Sequence, residues 1–381
     1  MNYRWWLAVS LLIFPPQLKA QDAHSLGISG AGTAAPMELF GFYSNPSLLA
    51  LPGSGGTWTI GTGGSFFDTS NANSPILRFT QQNAGQSAQD PINRYQQYLG
   101  IFGVKYLNVA GGATYDQELT YHASQGSLAF LNARDAGPIS PGTAYNLDFL
   151  QTTQQIANFI LSYSTQVPIG TFPFLAVGGS LKYHDGIQFQ QTNMSGAFTQ
   201  GSGTGYQVTK TTSASGLGLS IDGGFIAKVT DSIQIGMMFQ NFQSNFSWQA
   251  KQQVFALDPL TGQESLTSSF DKTVDANFPS ATKLGILAAP QDKNLAVEAE
   301  ITWTQGVADW RFGLERWYPE NHLVVRFGTF NDRVSNSQLF TFGAGYQLPT
   351  FNFDLAFLTR SLPAVQDSIS FGIALDGEIR F

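Results

Sequence analysis

The last stretch of the chain constrains the fold most, because its residues change character at every second position. From 368 to 381 the odd-numbered positions are mostly large and apolar, whereas the even-numbered positions are small, polar or charged. Successive side chains of a β-strand point to opposite faces, so this pattern predicts a strand with one apolar and one polar face. The apolar row ends on the last residue, Phe381.

The same kind of stretch recurs along the chain and predicts fourteen strands, an even number. They span residues 57–67, 98–106, 109–121, 157–167, 173–183, 215–228, 233–246, 280–288, 295–304, 309–317, 322–330, 338–348, 351–359 and 368–381.

The connections between these strands are sorted by length. The first four connections on one side are about 30, 35, 31 and 33 residues long, whereas those on the other side have about two to six. A barrel threaded through a membrane has short turns on one side and long loops on the other. The sequence therefore predicts an all-β fold: an antiparallel transmembrane β-barrel of about 14 strands.

Composition and the first residues set further limits. Residues 1–20 are typical of a signal peptide, with Arg4 ahead of a short apolar core. Without Arg4 and Lys19, 17 basic residues remain against 26 acidic ones, a net charge of −9 that argues against a nucleic-acid partner. Cysteine is absent, which excludes disulfides and thiolate chemistry. The sequence has no run of about 18 consecutive apolar residues, so no membrane-spanning helix is predicted.

The polar faces of the later strands carry most of the predicted inward charge. A charge facing lipid at the bilayer midplane costs about 2 to 4 kcal/mol for Arg or Lys, so these side chains are expected to face the lumen. They form either a path for a substrate or ion, or pairs with each other and with the N-terminal segment. The predicted lumen charges are Glu298, Glu300, Arg311, Glu315, Arg326, Asp354, Asp376, Glu378 and Arg380.

Residues 21–56 do not alternate, and a short helix is predicted near their end. Asn45 can accept hydrogen bonds from the free amides of a first turn, and Pro46 suits the first helical position. Leu48, Leu49 and Leu51 then give the helix an apolar side.

Asn45, Pro46 and Ser47, after a segment rich in small residues, resemble the N-terminal Asn-Pro-Ala hatch motif of the FadL/PorV superfamily of outer-membrane β-barrels, with Ser47 in place of Ala. Short motifs near the end of the chain are similar to those of PorV-like barrels: 312–318, 325–328, 342–346, 353–357 and 368–370. The resemblance implies a hatch (residues 21–56) that plugs a barrel (residues 57–381) in the bacterial outer membrane, with both termini periplasmic.

In the transporters of this superfamily, a hydrophobic ligand enters from outside and leaves sideways through a gap in the wall. The resemblance thus implies passive uptake of a long-chain fatty acid or hydrocarbon. Near the first two long loops, the residues expected to line a ligand site are Phe66, Phe67, Phe79, Phe130, Leu131, Phe149 and Leu150. The alternative is a PorV-like surface scaffold or shuttle that binds proteins in secretion or envelope assembly.

Three further expectations concern partners and the wall. The aromatic end of the chain, Phe381, resembles the signal read by the barrel-assembly machinery, and the apolar strand faces are expected to contact outer-membrane lipids. Gly111 and Gly112 in the third strand either loosen strand pairing at a wall gap or make room for a large neighbour.

No catalytic residue, cofactor or metal site is predicted. The four histidines, His24, His122, His184 and His322, are scattered without the spacing of metal ligands. No Gly-x-Ser-x-Gly motif occurs, and His122 and His184 lie at predicted loop edges without an identifiable partner.

Overall fold

The structure is a computed structural model that describes residues 22–35, 39–51, 58–70, 92–136, 142–170, 172–199, 201, 207–257, 264–290, 294–318, 322–332, 337–359 and 370–381. The predicted leader and Phe79 lie outside these residues. The helices are α1 (Ala23–Gly27), α2 (Gly41–Ser44), a 3-10 helix (Pro46–Ala50) and α3 (Gln125–Ala136). None of them has the length and apolar character needed to cross a membrane.

The three longest strands lie in the middle of the chain, each with more than 20 residues. In chain order they are β1 (Thr59–Ser70), β2 (Ile92–Tyr106), β3 (Val109–Ala123), β4 (Ala144–Gln166), β5 (Phe174–Thr199), β6 (Gln207–Ser213), β7 (Gly216–Thr230), β8 (Ile233–Leu257), β9 (Glu264–Asp275), β10 (Ala281–Ala288), β11 (Leu295–Thr304), β12 (Val307–Tyr318), β13 (Leu323–Asp332), β14 (Ser337–Gln347), β15 (Phe351–Thr359) and β16 (Ser370–Arg380).

These strands form one closed antiparallel ring with fourteen positions, which confirms the predicted barrel. β16 pairs with β1 and closes the ring. On one side of β8, its first part pairs with β7 and its last part with β6. On the other side, its first part pairs with β10 and its last part with β9. The strands β6 and β7 therefore share one position in the ring as an interrupted strand, and so do β9 and β10.

The prediction of long loops was wrong for two of the four. We call the end with short connections, where β1 begins and β16 ends, the turn end, and the opposite end the loop end. At the loop end β4, β5 and β8 reach 23, 26 and 25 residues, and β6 and β9 occupy stretches predicted as loops. Those stretches are mostly polar: β6 has one apolar side chain, Val208, and β9 has three, Leu266, Phe270 and Val274, at every fourth position. They therefore lack the alternation that marks the other strands.

The two faces of the ring differ as predicted. In β11, Glu298 and Glu300 are buried, whereas Ile301 and Trp303 are exposed. The outer face carries a row of exposed apolar side chains on strand after strand: Phe102, Phe159, Leu161, Leu181, Leu217, Leu284, Phe312, Val325, Phe353 and Leu375. A polar inner face and an apolar outer face are what a barrel surrounded by lipid requires.

The last strand pairs with the first, as predicted. The ladder between β1 and β16 runs from Thr59 opposite Arg380 to Thr69 opposite Ser370. Phe381 follows the ladder, and its backbone amide donates a 2.9 Å hydrogen bond to the Trp58 carbonyl oxygen. The Phe381 side chain is 71% exposed.

Gly111 and Gly112 do not interrupt the wall. β3 pairs with both β2 and β4 in unbroken register across them. A Cβ atom on Gly112 would collide with the Tyr43 hydroxyl and lie 3.0 Å from the Phe42 ring. Gly112 thus makes room for a large neighbour, the second of the two interpretations. Breaks in register lie elsewhere, between β4 and β5 and between β7 and β8.

Leu161→Lys tests the orientation of the wall. Leu161 is exposed on the outer face, five residues before the last residue of β4, or about 13 Å from the turn end at the usual strand rise and tilt. We expect the lysine to destabilise the folded protein in vesicles, reducing its free energy of unfolding by about 2 to 4 kcal/mol, as measured by urea titration. Gln190→Lys, at an exposed position of the loop-end extension, is the control and is expected to change it little.

Candidate functional site

The N-terminal segment, of which the structure describes residues 22–35 and 39–51, lies inside the ring. It approaches strands on widely separated sides of the barrel so closely that only glycine fits there. A Cβ atom on Gly313 in β12 would lie 2.7 Å from Ile28, and one on Gly178 in β5 would lie 2.6 Å from Pro46. The segment therefore extends across the lumen between opposite walls.

Three carboxylates of the wall bind the backbone of this segment directly. Asp376 accepts from the Ala23 amide at 2.6 Å and Glu300 from the Thr33 amide at 3.0 Å. Glu378 accepts from the Leu39 amide at 2.9 Å. All three carboxylates are buried. Charge-assisted bonds of this kind are about twice as strong as neutral ones, so the carboxylates fix the path of the segment.

Arg326 forms the centre of a second attachment. Its Nε donates to Glu315 at 2.7 Å, its Nη1 pairs with Asp354, and its Nη2 lies 3.2 Å from His24 Nδ1. His24 Nε2 is 3.3 Å from Glu315. His24 Nδ1 can accept from the guanidinium, whereas Nε2 lies beside the Glu315 carboxylate without forming a hydrogen bond among the described residues. This buried arginine is paired on every side, as a buried charge must be.

The other predicted lumen charges make fewer contacts with the N-terminal segment. Arg311 Nη1 donates to the Gly30 carbonyl oxygen at 3.4 Å. Glu298 is buried, and its two carboxylate oxygens have no hydrogen-bond partner among the described residues. Arg380 lies half-buried at the end of β16. The structure therefore brings most of the predicted charges to the N-terminal segment in separate groups. Pairing with that segment was the second interpretation of these charges in the sequence.

Asn45 joins two parts of the segment to the wall. As predicted, its Oδ1 caps the 3-10 helix by accepting from the Ser47 amide at 3.1 Å, and it also accepts from the Ser47 hydroxyl at 2.7 Å. Its Nδ2 donates to the carbonyl oxygens of Thr33 at 2.9 Å and Phe225 at 3.2 Å. Asn45 and Ser47 are fully buried. Asn45 therefore links residue 33, the 3-10 helix and strand β7 by hydrogen bonds. The Ser47 hydroxyl has its hydrogen-bond partner within the same motif.

Burial changes the acidity of the segment's own groups. Asp22 caps α1 by accepting from the Ser25 amide at 2.8 Å. Burial raises the pKa of the Asp22 carboxyl, although the bond from Ser25 opposes this. Burial also raises the pKa of the Tyr43 hydroxyl, which donates to the Phe102 carbonyl oxygen at 2.8 Å.

The structure does not gather the predicted ligand residues into one site. Phe67 is buried against Ala23 and Leu26 inside the ring, whereas Phe66 lies on the opposite face of β1 with its ring 4.6 Å from that of Tyr98. Leu150 lies on the face of β4 opposite Phe149.

Phe130, Leu131 and Phe149 do come together, in an apolar cluster beneath α3. Phe149 shares its face of β4 with Phe159 and Leu161, which are exposed on the outside of the barrel. The cluster therefore lies on the outer face of the loop-end extension, and α3 shields it. We call it the outer cluster; its buried members are Ala123, Leu128, Phe130, Leu147, Phe149, Met194, Phe198 and Val208.

A second group of rings, which the sequence did not reveal, lines the inside of the barrel. We call it the aromatic cluster: Ile156, Phe189, Phe246, Trp248 and Phe278. The Phe189 and Trp248 rings stack at 5.4 Å, and Phe246 meets Trp248 edge-on at 5.1 Å. Ile156 lies on the same face of β4 as Ile160, which packs on the N-terminal segment. The aromatic cluster thus lies above that segment, towards the loop end.

Polar side chains lie directly beside the aromatic cluster. His184 was expected at a loop edge without a partner, but it lies within β5, because that strand is longer than predicted. Its Nδ1 is 2.6 Å from Asn158 Oδ1 and its Nε2 is 2.7 Å from Ser220 Oγ. The His184 ring is 4.2 Å from that of Phe278. Nearby, Lys182 and Asp222 form a buried ion pair. Among the described residues no group of His, Asp or Glu is arranged to hold a metal ion.

Two grooves reach the aromatic cluster from the wall. One, of about 860 Å³, crosses β5, β6, β8 and β9 and includes Phe189. The other, of about 530 Å³, includes Phe246 together with Leu217, Leu219 and Tyr183, which are exposed on the outer face. Both lie where ring positions are interrupted, between β6 and β7 and between β9 and β10. The wall is therefore least regular around the aromatic cluster.

Removing the three carboxylates that accept from backbone amides tests whether these bonds hold the N-terminal segment in place. Each of Glu300→Ala, Asp376→Ala and Glu378→Ala leaves a buried amide unpaired, at a cost of about 1 to 3 kcal/mol. We expect the triple variant to admit arabinose into vesicles several-fold faster than the unmodified protein in a swelling assay. A matched triple variant, Asp148→Ala, Asp231→Ala and Glu264→Ala, removes the same charge at exposed positions that contact neither the N-terminal segment nor the grooves. Equal swelling rates for the two variants would exclude a sealing role for these bonds.

The raised pKa of Asp22 predicts a pH-dependent stability. The folded state holds the Asp22 proton more tightly than the unfolded chain, whose carboxyl titrates near 3.8. The stabilisation is fully present below that pH and is lost as pH rises through the folded pKa. Asp22→Asn remains neutral and keeps an oxygen for the Ser25 amide. We expect it to raise the melting temperature in detergent by about 2 °C at pH 7.5, with a smaller gain at pH 4. Asp271→Asn, at an exposed site, is the control.

Comparison with known proteins identifies the fold. No protein-family model matches the chain, and no curated protein matches it. Among solved structures, the toluene transporter TbuX of Ralstonia pickettii is similar over 96% of this chain and 99% of its own, with 14% identity and a TM-score of 0.60. The toluene transporter TodX of Pseudomonas putida is similar over 96% of this chain and 98% of its own, with 14% identity and a TM-score of 0.57. A FadL homologue from Pseudomonas aeruginosa is similar over 96% of this chain and 99% of its own, with 10% identity and a TM-score of 0.60. The chain therefore has the fold of the FadL-type outer-membrane channels.

Proposed function

We propose that this protein is an outer-membrane channel for the passive uptake of a small hydrophobic molecule, and that its N-terminal segment is the hatch. The observation that supports this most is the aromatic cluster, because it is an apolar cluster inside the barrel to which the N-terminal segment contributes no residue, unlike the clusters around Phe67, Ile160 and Phe174. An apolar site of this kind retains a hydrophobic molecule because burial removes apolar surface from water. No titratable group needs to react with the ligand in such a role.

The membrane location follows from the outer face. Its exposed apolar rows are suited to outer-membrane lipids, and the predicted signal peptide fits export. The exposed ring of Phe381, beside the closing seam, is suited to recognition by the barrel-assembly machinery during insertion. The turn end, where β16 ends, then faces the periplasm, and we expect both chain termini on that side.

The grooves beside β8 offer a sideways route. Asp222 of β7 faces a bulge in β8, where Asn241 adopts a left-handed φ of 51°. On its other side, β8 is joined to residues 276–280 largely through side chains: Asn277 accepts from the Phe246 amide and Ser244 from the Phe278 amide. Side-chain bonds of this kind open with less disruption than a ladder of backbone bonds. We place the exit of the ligand here, where the hatch does not have to move.

Uptake of labelled toluene and oleate by cells with and without the protein tests the proposal. Phe246→Ala combined with Trp248→Ala removes the two rings at the centre of the aromatic cluster. This variant is expected to reduce protein-dependent uptake at least fivefold at limiting ligand, because it removes most of the apolar contact area.

The control is Phe130→Ala combined with Phe149→Ala in the outer cluster, which is expected to leave uptake within twofold. The gel mobility of unboiled samples reports whether each variant assembles. Loss of uptake in the control alone would move the site to the residues that the sequence predicted. Equal uptake with and without the protein would instead support the PorV-like scaffold, with secretion-system proteins as partners.

A further inference from the structure

The aromatic cluster contains one polar group that is left unsatisfied. Trp248 is fully buried, and its indole Nε1 has no hydrogen-bond partner among the described residues. A buried N–H without an acceptor destabilises a protein, and nearly all such donors in native structures are paired. The other neighbours of the indole in this cluster are rings and aliphatic groups, which offer no acceptor. The donor therefore indicates an acceptor atom on the molecule that binds here.

The orientation of the indole supports this reading. A Cβ atom on Gly186 would lie 2.5 Å from Trp248 Cζ3, and one on Gly216 would lie 2.7 Å from Cε3. These two atoms belong to the six-membered ring, so that ring lies against the strand backbones. The edge that carries Nε1 is the opposite one and points away from these glycines. The Phe189 ring stacks on the indole and the Phe246 ring meets it edge-on, so the donor lies among aromatic side chains.

The charges beside the cluster argue for a neutral ligand. Lys182, the nearby cation, is already paired with Asp222. The Asn158 amide donates to Thr114 at 2.8 Å, which orients its oxygen towards His184 Nδ1. Both nitrogens of His184 are already engaged, Nδ1 with Asn158 Oδ1 and Nε2 with Ser220 Oγ, and Ser220 donates to Asn241 Oδ1 at 3.2 Å. A carboxylate would lose its hydration among the rings of the cluster, a cost that one indole N–H does not offset.

We infer that the aromatic cluster selects small, neutral, ring-sized molecules that carry one acceptor oxygen, such as phenols, over hydrocarbons and carboxylates of the same size. The oxygen accepts from Trp248 Nε1 while the apolar body packs among Phe189, Phe246 and Phe278. The inference rests on the proposed function and narrows its substrate class.

Three molecules of nearly the same shape test it: p-cresol, p-xylene and p-toluate. Their binding to the folded full chain is measured by equilibrium dialysis against matched detergent. We expect p-cresol to bind about fivefold more tightly than p-xylene, as one neutral hydrogen bond predicts, and p-toluate to bind most weakly. Trp248→Phe keeps an aromatic ring but loses the donor, and is expected to abolish the advantage of p-cresol over p-xylene. Trp303→Phe, on the outer face, is the matched control.

The outcomes separate this inference from the proposed function. Tightest binding of p-xylene or p-toluate, or a p-cresol advantage that survives Trp248→Phe, overturns the inference and leaves passive uptake standing. Absence of binding by all three, together with equal toluene uptake with and without the protein, overturns both. If Trp248→Phe fails to assemble, the ranking of the three molecules by the unmodified protein decides the question.

Discussion

The seam between β1 and β16 is the constraint on which every other feature depends. Inside a bilayer an unpaired backbone amide or carbonyl has no water to bond, so a sheet must close on itself. Closure fixes the parity of each strand, because a shift of one residue would turn charges towards lipid. Once Asp376 and Glu378 face inward on β16, Leu375 and Ile379 must face outward. The lumen chemistry is thus a consequence of the seam.

Closure also creates a problem that the N-terminal segment solves. Inward carboxylates in a confined space repel one another and lose solvation, so they need donors. The segment supplies backbone amides at Ala23, Thr33 and Leu39, and its own orphan amides gain acceptors in return. Lumen wall and segment therefore complete each other: each leaves buried polar groups unsatisfied when the other is removed.

Sequence patterns predicted the ring positions because lipid on one side forces strict alternation, as in β11 and β15. They failed for β6 and β9, which extend beyond the lipid and carry too few apolar side chains to mark one face. The aromatic cluster was also beyond reach, since Phe189, Trp248 and Phe278 are far apart in the chain and meet only after the ring has closed. Phe130 and Phe149 were grouped correctly, yet nothing in the pattern revealed that α3 places them outside the barrel. The Asn45 cap was predictable because its geometry is local.

The unequal strand lengths give the loop end an oblique mouth. β5 has 26 residues and β11 has 10, so one side of the wall stands about 40 Å taller than the other at the usual rise and tilt. The described wall therefore has a direction around the barrel axis: two neighbouring copies turned differently would present its tall side to different parts of the same surface.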